Sequence, residues 1–180
     1  KYEKDKSIPK QTIGAQELFQ ALLKERAETG RIYIMNLDHC NTHSSFKDKV
    51  YMSNLCQEIT LPTTPVQHID DKEGEIALCI LSAVNLGLLT DMNELEELCD
   101  LSVRALDEII DYQEYPVEAA KISAQSRRSL GIGYIGLAHY LAKNQVGYED
   151  KKALKLVDKV TEAFQFYLLK ASNNPVSYTH

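Results

Sequence analysis

The chain has 180 residues, 44% hydrophobic and 26% charged, the composition of an ordinary globular protein long enough to bury a core. A net charge of -6 and a pI near 5.4 leave no basic footprint, which argues against direct binding to nucleic acid or to an anionic membrane surface. No apolar run approaches membrane-spanning length, residues 1–20 hold no apolar signal region, and four irregularly spaced cysteines do not make a secreted disulfide scaffold, so the expected location is cytoplasmic.

The first ten residues are charged and begin with Lys, as an internal excerpt or a trimmed chain would. Gly14 to Thr29 reads as an amphipathic helix, with Leu18, Ala21, Leu22 and Glu25 spaced three and four apart and Gly30 to close it. Arg31 to Leu37 reads as a short strand on the β character of Ile32, Tyr33 and Ile34, followed by a polar loop from Asp38 to Lys49. The next segment, Asn54 to Leu61, is ended by Pro62 and Pro65.

Glu75 to Leu89 is almost wholly apolar, the pattern of an element buried on both sides. Thr90 or Asp91 is placed to cap a helix running to about Tyr112, with Leu95, Leu98, Val103, Leu106 and Ile110 as its core stripe. Pro116 is placed to open another helix. Two more are expected over Gly136 to Asn144 and Lys151 to Ser172, the last burying Leu154, Val157, Phe164, Tyr167 and Leu168. Strands alternating with helices indicate an α/β architecture.

Asn54-Leu55-Cys56-Gln57-Glu58 carries the most chemistry. In an extended segment Asn54, Cys56 and Glu58 share one face while Leu55 and Gln57 share the other, so an amide, a thiol and a carboxyl face one substrate. The outer pair would lie about 13 Å apart, too far for a sugar-sized ligand unless the segment curves, so a curved loop is expected rather than a flat strand. A carboxylate beside a thiol also opposes the thiolate, which favours chemistry of the neutral sulfhydryl.

Other motifs read more blandly. Gly131-Ile132-Gly133-Tyr134-Ile135-Gly136 matches the dinucleotide-binding pattern, but Ser123 to Ser129 ahead of it is polar and no acidic strand end follows, so we read tight backbone packing. Asp38, His39, Cys40 and His43 have metal-ligand spacing but no second cluster, so no metal site is assigned, and a small metal-binding protein using His39, Cys40 and His43 is the weakest reading. Cys99 reads as a core thiol. Cys79, inside the apolar run, would ordinarily be structural too, and its reading depends on what Cys56 does. Arg127 and Arg128 fit either a phosphate grip or a solvated edge.

Ser53 to Thr63, S-N-L-C-Q-E-I-T-L-P-T, resembles the active-site loop of the large, catalytic subunit of class I ribonucleotide reductase. The resemblance continues in order through Arg31 to Ile34, Asp38 to Ser44, Gly74 to Cys79, Asn85 to Gly87, Arg104 to Asp107, Asp111 to Gln113, Arg127-Arg128, Leu130 to Gly133 and Tyr167 to Asn173. It covers residues 1–173, leaving 174–180 as a divergent tail in which Pro175 should stop a helix.

The resemblance implies part of a ten-stranded α/β barrel in which a finger loop carries a cysteine to the centre. Cys56 would then be the transient thiyl radical that removes the ribose 3′ hydrogen, Glu58 the base on the 3′ hydroxyl, and Asn54 a hydrogen-bonding partner of the sugar, with Leu55 and Gln57 completing the substrate-binding loop. Cys79 would be one member of the redox pair. The reaction implied is reduction of ribonucleoside diphosphates to deoxyribonucleotides, with no cofactor bound by this chain, the radical coming from a metal-containing small subunit and the disulfide being reduced again by thioredoxin or glutaredoxin. The family subunit is several times longer, so effector sites, the partner of Cys79, the phosphate-binding segment and the radical relay are expected outside these residues. Alone the chain is expected to be inactive. The competing reading is an inactive fragment or interaction module that only assembles with complementary chains, and a split gene, a frameshift and an engineered boundary all fit the altered terminus.

Overall fold

The computed structural model describes residues 4–174, and the chain divides into two compact units, Lys1–Pro62 and Thr63–His180. In the first unit, helix α1 spans Ala15–Thr29 and ends as expected on Gly30, whose φ of 66° lies in the left-handed region and whose N–H donates to the Arg26 carbonyl. The Arg26 guanidinium donates to the Ile32 carbonyl at 2.7 Å and ties down the chain leaving the helix. None of the residues of α1 is buried, and Leu18, Phe19 and Leu23 stand exposed. Its apolar stripe has the right spacing, yet nothing among the described residues covers it.

The strand expected over Arg31 to Leu37 does not form. Residues 31–36 carry no regular structure, and Leu37–Thr42 is a short helix, α2, inside what the sequence reads as a polar loop. A strand needs a neighbour for its backbone groups, and no segment of the described chain pairs with this one.

The second unit is a βαβ arrangement. Strand β1, Ile80–Asn85, runs parallel to β2, Leu130–Ile135, with Ile80 beside Leu130 and Asn85 beside Ile135. Parallel strands require a long crossover, and helices α3, Glu94–Tyr112, and α4, Glu118–Arg127, supply it. Helices α5, Leu137–Lys143, and α6, Lys151–Asn173, follow. The glycine-rich run 131–136 therefore lies mostly within a strand, where the dinucleotide pattern would require a loop.

One face of the two-stranded sheet packs on the core. Val84, Leu86, Leu89, Leu95, Cys99, Tyr140, Val160 and Phe164 form that core, with Ile132 and Tyr134 packed against it. The Tyr134 ring meets Phe164 edge-on at 5.6 Å between centroids, and its hydroxyl lies 3.1 Å from that of Thr161. The other face is open. Leu81 is 60% exposed and Ala83 is also exposed, so the expectation that Glu75 to Leu89 is buried on both sides is not met.

Helix α3 begins later than expected. Thr90 and Asp91 lie in the turn before it, where the Thr90 hydroxyl bonds the Glu94 carboxylate and Asp91 accepts from the Asn93 N–H. Its stripe holds, with Leu95, Val103, Leu106 and Ile110 buried, Leu98 half-buried and Cys99 added. In α6, Phe164 is buried as expected, but Leu154 is 77% exposed while Ala153, Val160 and Ala171 are buried. The stripe is real, but shifted one position around the helix at its first turn. Pro175 and the divergent tail beyond Asn174 lie outside the described residues.

Candidate active site

The loop that carries Cys56 is held by backbone, amide and hydroxyl hydrogen bonds. The N–H of Gln57 donates to the Asn54 carbonyl at 3.2 Å, which closes a tight turn with Leu55 and Cys56 at its tip. Gln57 then takes a φ of 65°, a left-handed conformation that reverses the chain and abolishes the alternation of an extended strand. The segment is thus the curved loop expected. The shared face of Asn54, Cys56 and Glu58 does not survive in its flat form.

Each side chain of the loop has a distinct place. Asn54 is half-buried, and its Oδ1 accepts from the Ile59 N–H at 3.0 Å, so the amide braces the loop across five residues. Its carbonyl also accepts from the Ser53 hydroxyl. Cys56 and Glu58 are exposed, Leu55 is 81% exposed, and Gln57 is half-buried. An exposed, unbridged thiol at the tip of a turn is presented outward, where a substrate or another protein segment can reach it.

Asn41 anchors this loop, and sequence reasoning gave it no role. From α2 its Oδ1 accepts the Val50 N–H at 2.8 Å while its Nδ2 donates to the Val50 carbonyl at 2.8 Å and to the Leu37 carbonyl at 2.9 Å. One amide side chain thus satisfies both backbone groups of buried Val50, four residues ahead of Asn54. The signal in the sequence is only an asparagine in a polar stretch. Among the described residues no group of three or more His, Cys, Asp or Glu is arranged to hold a metal ion.

Cys79 belongs to the second unit, one residue ahead of β1. It is half-buried, in no disulfide, and its Sγ lies 3.9 Å from the Ile80 carbonyl. Cys99 is different in kind. It is fully buried in the core, its Sγ 3.9 Å from the Phe164 carbonyl, and burial pushes its thiol up to about 11.

The arginine pair is structural in this chain. Arg127 meets Glu75 at 2.7 Å, and Arg128 grips Asp107 at 2.6 Å and Asp111 at 2.9 Å. The loop between Thr64 and Glu75 is organised by buried Asp71, which accepts from the N–H groups of Gln67, Glu73 and Gly74. The Gln67 and Glu73 bonds chiefly hold its carboxyl below the usual carboxylate range.

A family model described as ribonucleotide reductase, barrel domain, matches residues 1–177. The chain is 61% identical over 175 residues to the ribonucleoside-diphosphate reductase subunit alpha of Buchnera aphidicola subsp. Schizaphis graminum, a match covering 96% of this chain and 23% of that protein. It is 58% identical over 176 residues to the ribonucleoside-diphosphate reductase 1 subunit alpha of Escherichia coli, covering 96% of this chain and 23% of that protein. The chain therefore spans about a quarter of the length of these relatives. Among solved structures, the class Id ribonucleotide reductase alpha subunit of Actinobacillus ureae superposes with a TM-score of 0.71 at 26% identity, over 91% of this chain and 32% of that one. The α/β fold, the order of the motifs and a family match running almost end to end agree, and the chain belongs to the ribonucleotide reductase barrel-domain family.

Proposed function

We propose that this chain is the segment of a ribonucleoside-diphosphate reductase alpha subunit that carries the radical cysteine, its base and one redox cysteine. The observation that carries the reading is the Cys56 turn, an exposed thiol at the tip of a braced loop, within a chain that matches the barrel-domain family from residue 1 to residue 177. Residues 1–173 act as one section of the barrel, and the remaining sections complete the site.

The chemistry assigned to each group follows from its atoms. As a thiyl radical, Cys56 takes the hydrogen atom from the ribose 3′ carbon and becomes a thiol, while Glu58 takes the proton of the 3′ hydroxyl. Leu55 and Gln57 flank the thiol and shape the sugar site. Asn54 Oδ1 accepts from the Ile59 N–H, which orients the amide, and Asn54 hydrogen-bonds the sugar. Replacing a C–OH by C–H releases water and consumes two electrons and two protons. Cys79 and a second cysteine outside this segment supply them by closing a disulfide, which thioredoxin or glutaredoxin opens again. The radical originates in a separate metal-containing small subunit, and nucleotide effectors bind outside the segment. Cytoplasmic location fits this dependence on reduced thiols, and among the described residues no helix is long and apolar enough to cross a membrane.

The test is turnover of a complete alpha subunit containing this segment, assembled with its small subunit. Glu58→Gln keeps the size of the side chain and removes the base, and is expected to lower turnover by about 10²- to 10⁴-fold with little change in nucleotide binding. Normal turnover of that variant would remove Glu58 from the mechanism.

A further inference from the structure

The glycine-rich run that resembles a nucleotide motif has a different use. Along β1, residues 80, 82 and 84 turn toward the helical core while Leu81 and Ala83 belong to the opposite, open face, and the sulfur of Cys79, one residue ahead of the strand, lies beside Gly131 on that same side. On the neighbouring strand the same face presents Gly131 and Gly133, so a track of bare backbone runs beside the cysteine. The two glycines are not equivalent. A Cβ at Gly131 would lie 3.0 Å from Cys79 Sγ and 2.5 Å from Leu81 Cδ2, whereas a Cβ at Gly133 would meet nothing within 4 Å. Neither glycine has a left-handed φ, so it is space, not backbone conformation, that distinguishes them.

We propose that Gly131 is a positioning residue for Cys79, leaving open the volume in which its sulfur moves between thiol and disulfide. The proposal rests on the redox role proposed above for Cys79. Non-bonded heavy atoms settle at about 3.5 to 4.0 Å, so a methyl at 3.0 Å would press directly on the sulfur. Thiol–disulfide exchange needs more room still, because the Cys79 thiolate attacks one sulfur of a disulfide, bonds to it and expels the other sulfur as a thiolate. In the assembled enzyme the same sulfur bonds to a second cysteine as two electrons and two protons pass to the substrate. Gly131 thus lies directly beside the Cys79 sulfur on this sheet face.

The test compares Leu81→Ala with Leu81→Ala/Gly131→Ala in the full chain, the first substitution removing the collision with Leu81 from both arms. Each variant is incubated with oxidised glutathione, and mixed-disulfide formation is followed peptide by peptide by mass spectrometry. Gly131→Ala is expected to slow exchange at Cys79 about tenfold, to leave Cys56 unchanged and to keep Cys99 protected. Gly133→Ala should change none of the three. Equal Cys79 rates in the two arms would overturn the proposal, and so would a fall at Cys56 as large as that at Cys79. If Cys99 becomes reactive in the double variant alone, Gly131 is a packing glycine and the proposal also fails. Cys79→Ser in the complete enzyme separates the redox role of Cys79 from the positioning role of Gly131. Sustained turnover by that variant removes the redox assignment, whereas loss of turnover with normal exchange in Gly131→Ala removes only the positioning role.

Discussion

At the scale of single residues, the Cys56 loop depends on two asparagines with different tasks. Asn54 braces the turn from within through Ile59, and Asn41 fixes the chain entering it through both backbone groups of Val50. Buried backbone groups without partners cost about 1 to 3 kcal/mol, so Asn41→Ala is expected to destabilise this unit by about that amount. Hydrogen exchange should show it most clearly at the Val50 amide, with Gly74 in the other unit unchanged; an unaltered Val50 rate would contradict the anchoring role. A thiol, a carboxyl and an amide at short spacing in Asn54 to Glu58 mark the loop in the sequence, while the roles proposed for Cys56 and Glu58 come from the family resemblance. Asn41 was not legible, because its partner is backbone, and backbone leaves no letter in a sequence.

At the scale of elements, helices were read well and strands less so. Each long helix carries its own evidence in its apolar stripe and its ends, as α3 does with Leu95, Cys99, Val103, Leu106 and Ile110. A strand depends on a neighbour. Ile32-Tyr33-Ile34 has strand composition and forms none, whereas Leu130 to Ile135, rich in glycine, forms β2 because β1 lies beside it. The crossover is locked by Arg128, which ends α4 at a φ of 46° and reaches back to Asp107 and Asp111 on α3. The first cause of the low Asp111 carboxyl is its hydrogen bond from Arg128. Its folded value lies below its unfolded one, so this contribution is present above the ordinary carboxylate range and is lost as pH falls through the lowered value. Because the guanidinium is partly exposed, Arg128→Ala is expected to cost only about 1 kcal/mol at neutral pH. It should also flatten the acid limb of stability against pH in urea titrations, and a limb as steep as that of the parent chain would contradict the clamp.

At the scale of the whole molecule, α1 exposes its apolar stripe, and among the described residues nothing covers one face of the sheet or pairs with its two edges. These surfaces accord with a chain that spans 23% of its relatives, since a barrel buries such faces only when every section is present. The central claim is that Cys56 is the group on which reduction turns. The direct measurement is nucleotide reduction by a complete alpha subunit carrying Cys56→Ser, assembled with its small subunit and an excess of reductant. One oxygen in place of one sulfur preserves the shape of the turn but removes the weak S–H bond from which a thiyl radical forms. No reduction above background is expected while Cys79 still exchanges with disulfides; turnover at the rate of the unsubstituted enzyme would contradict the role of Cys56.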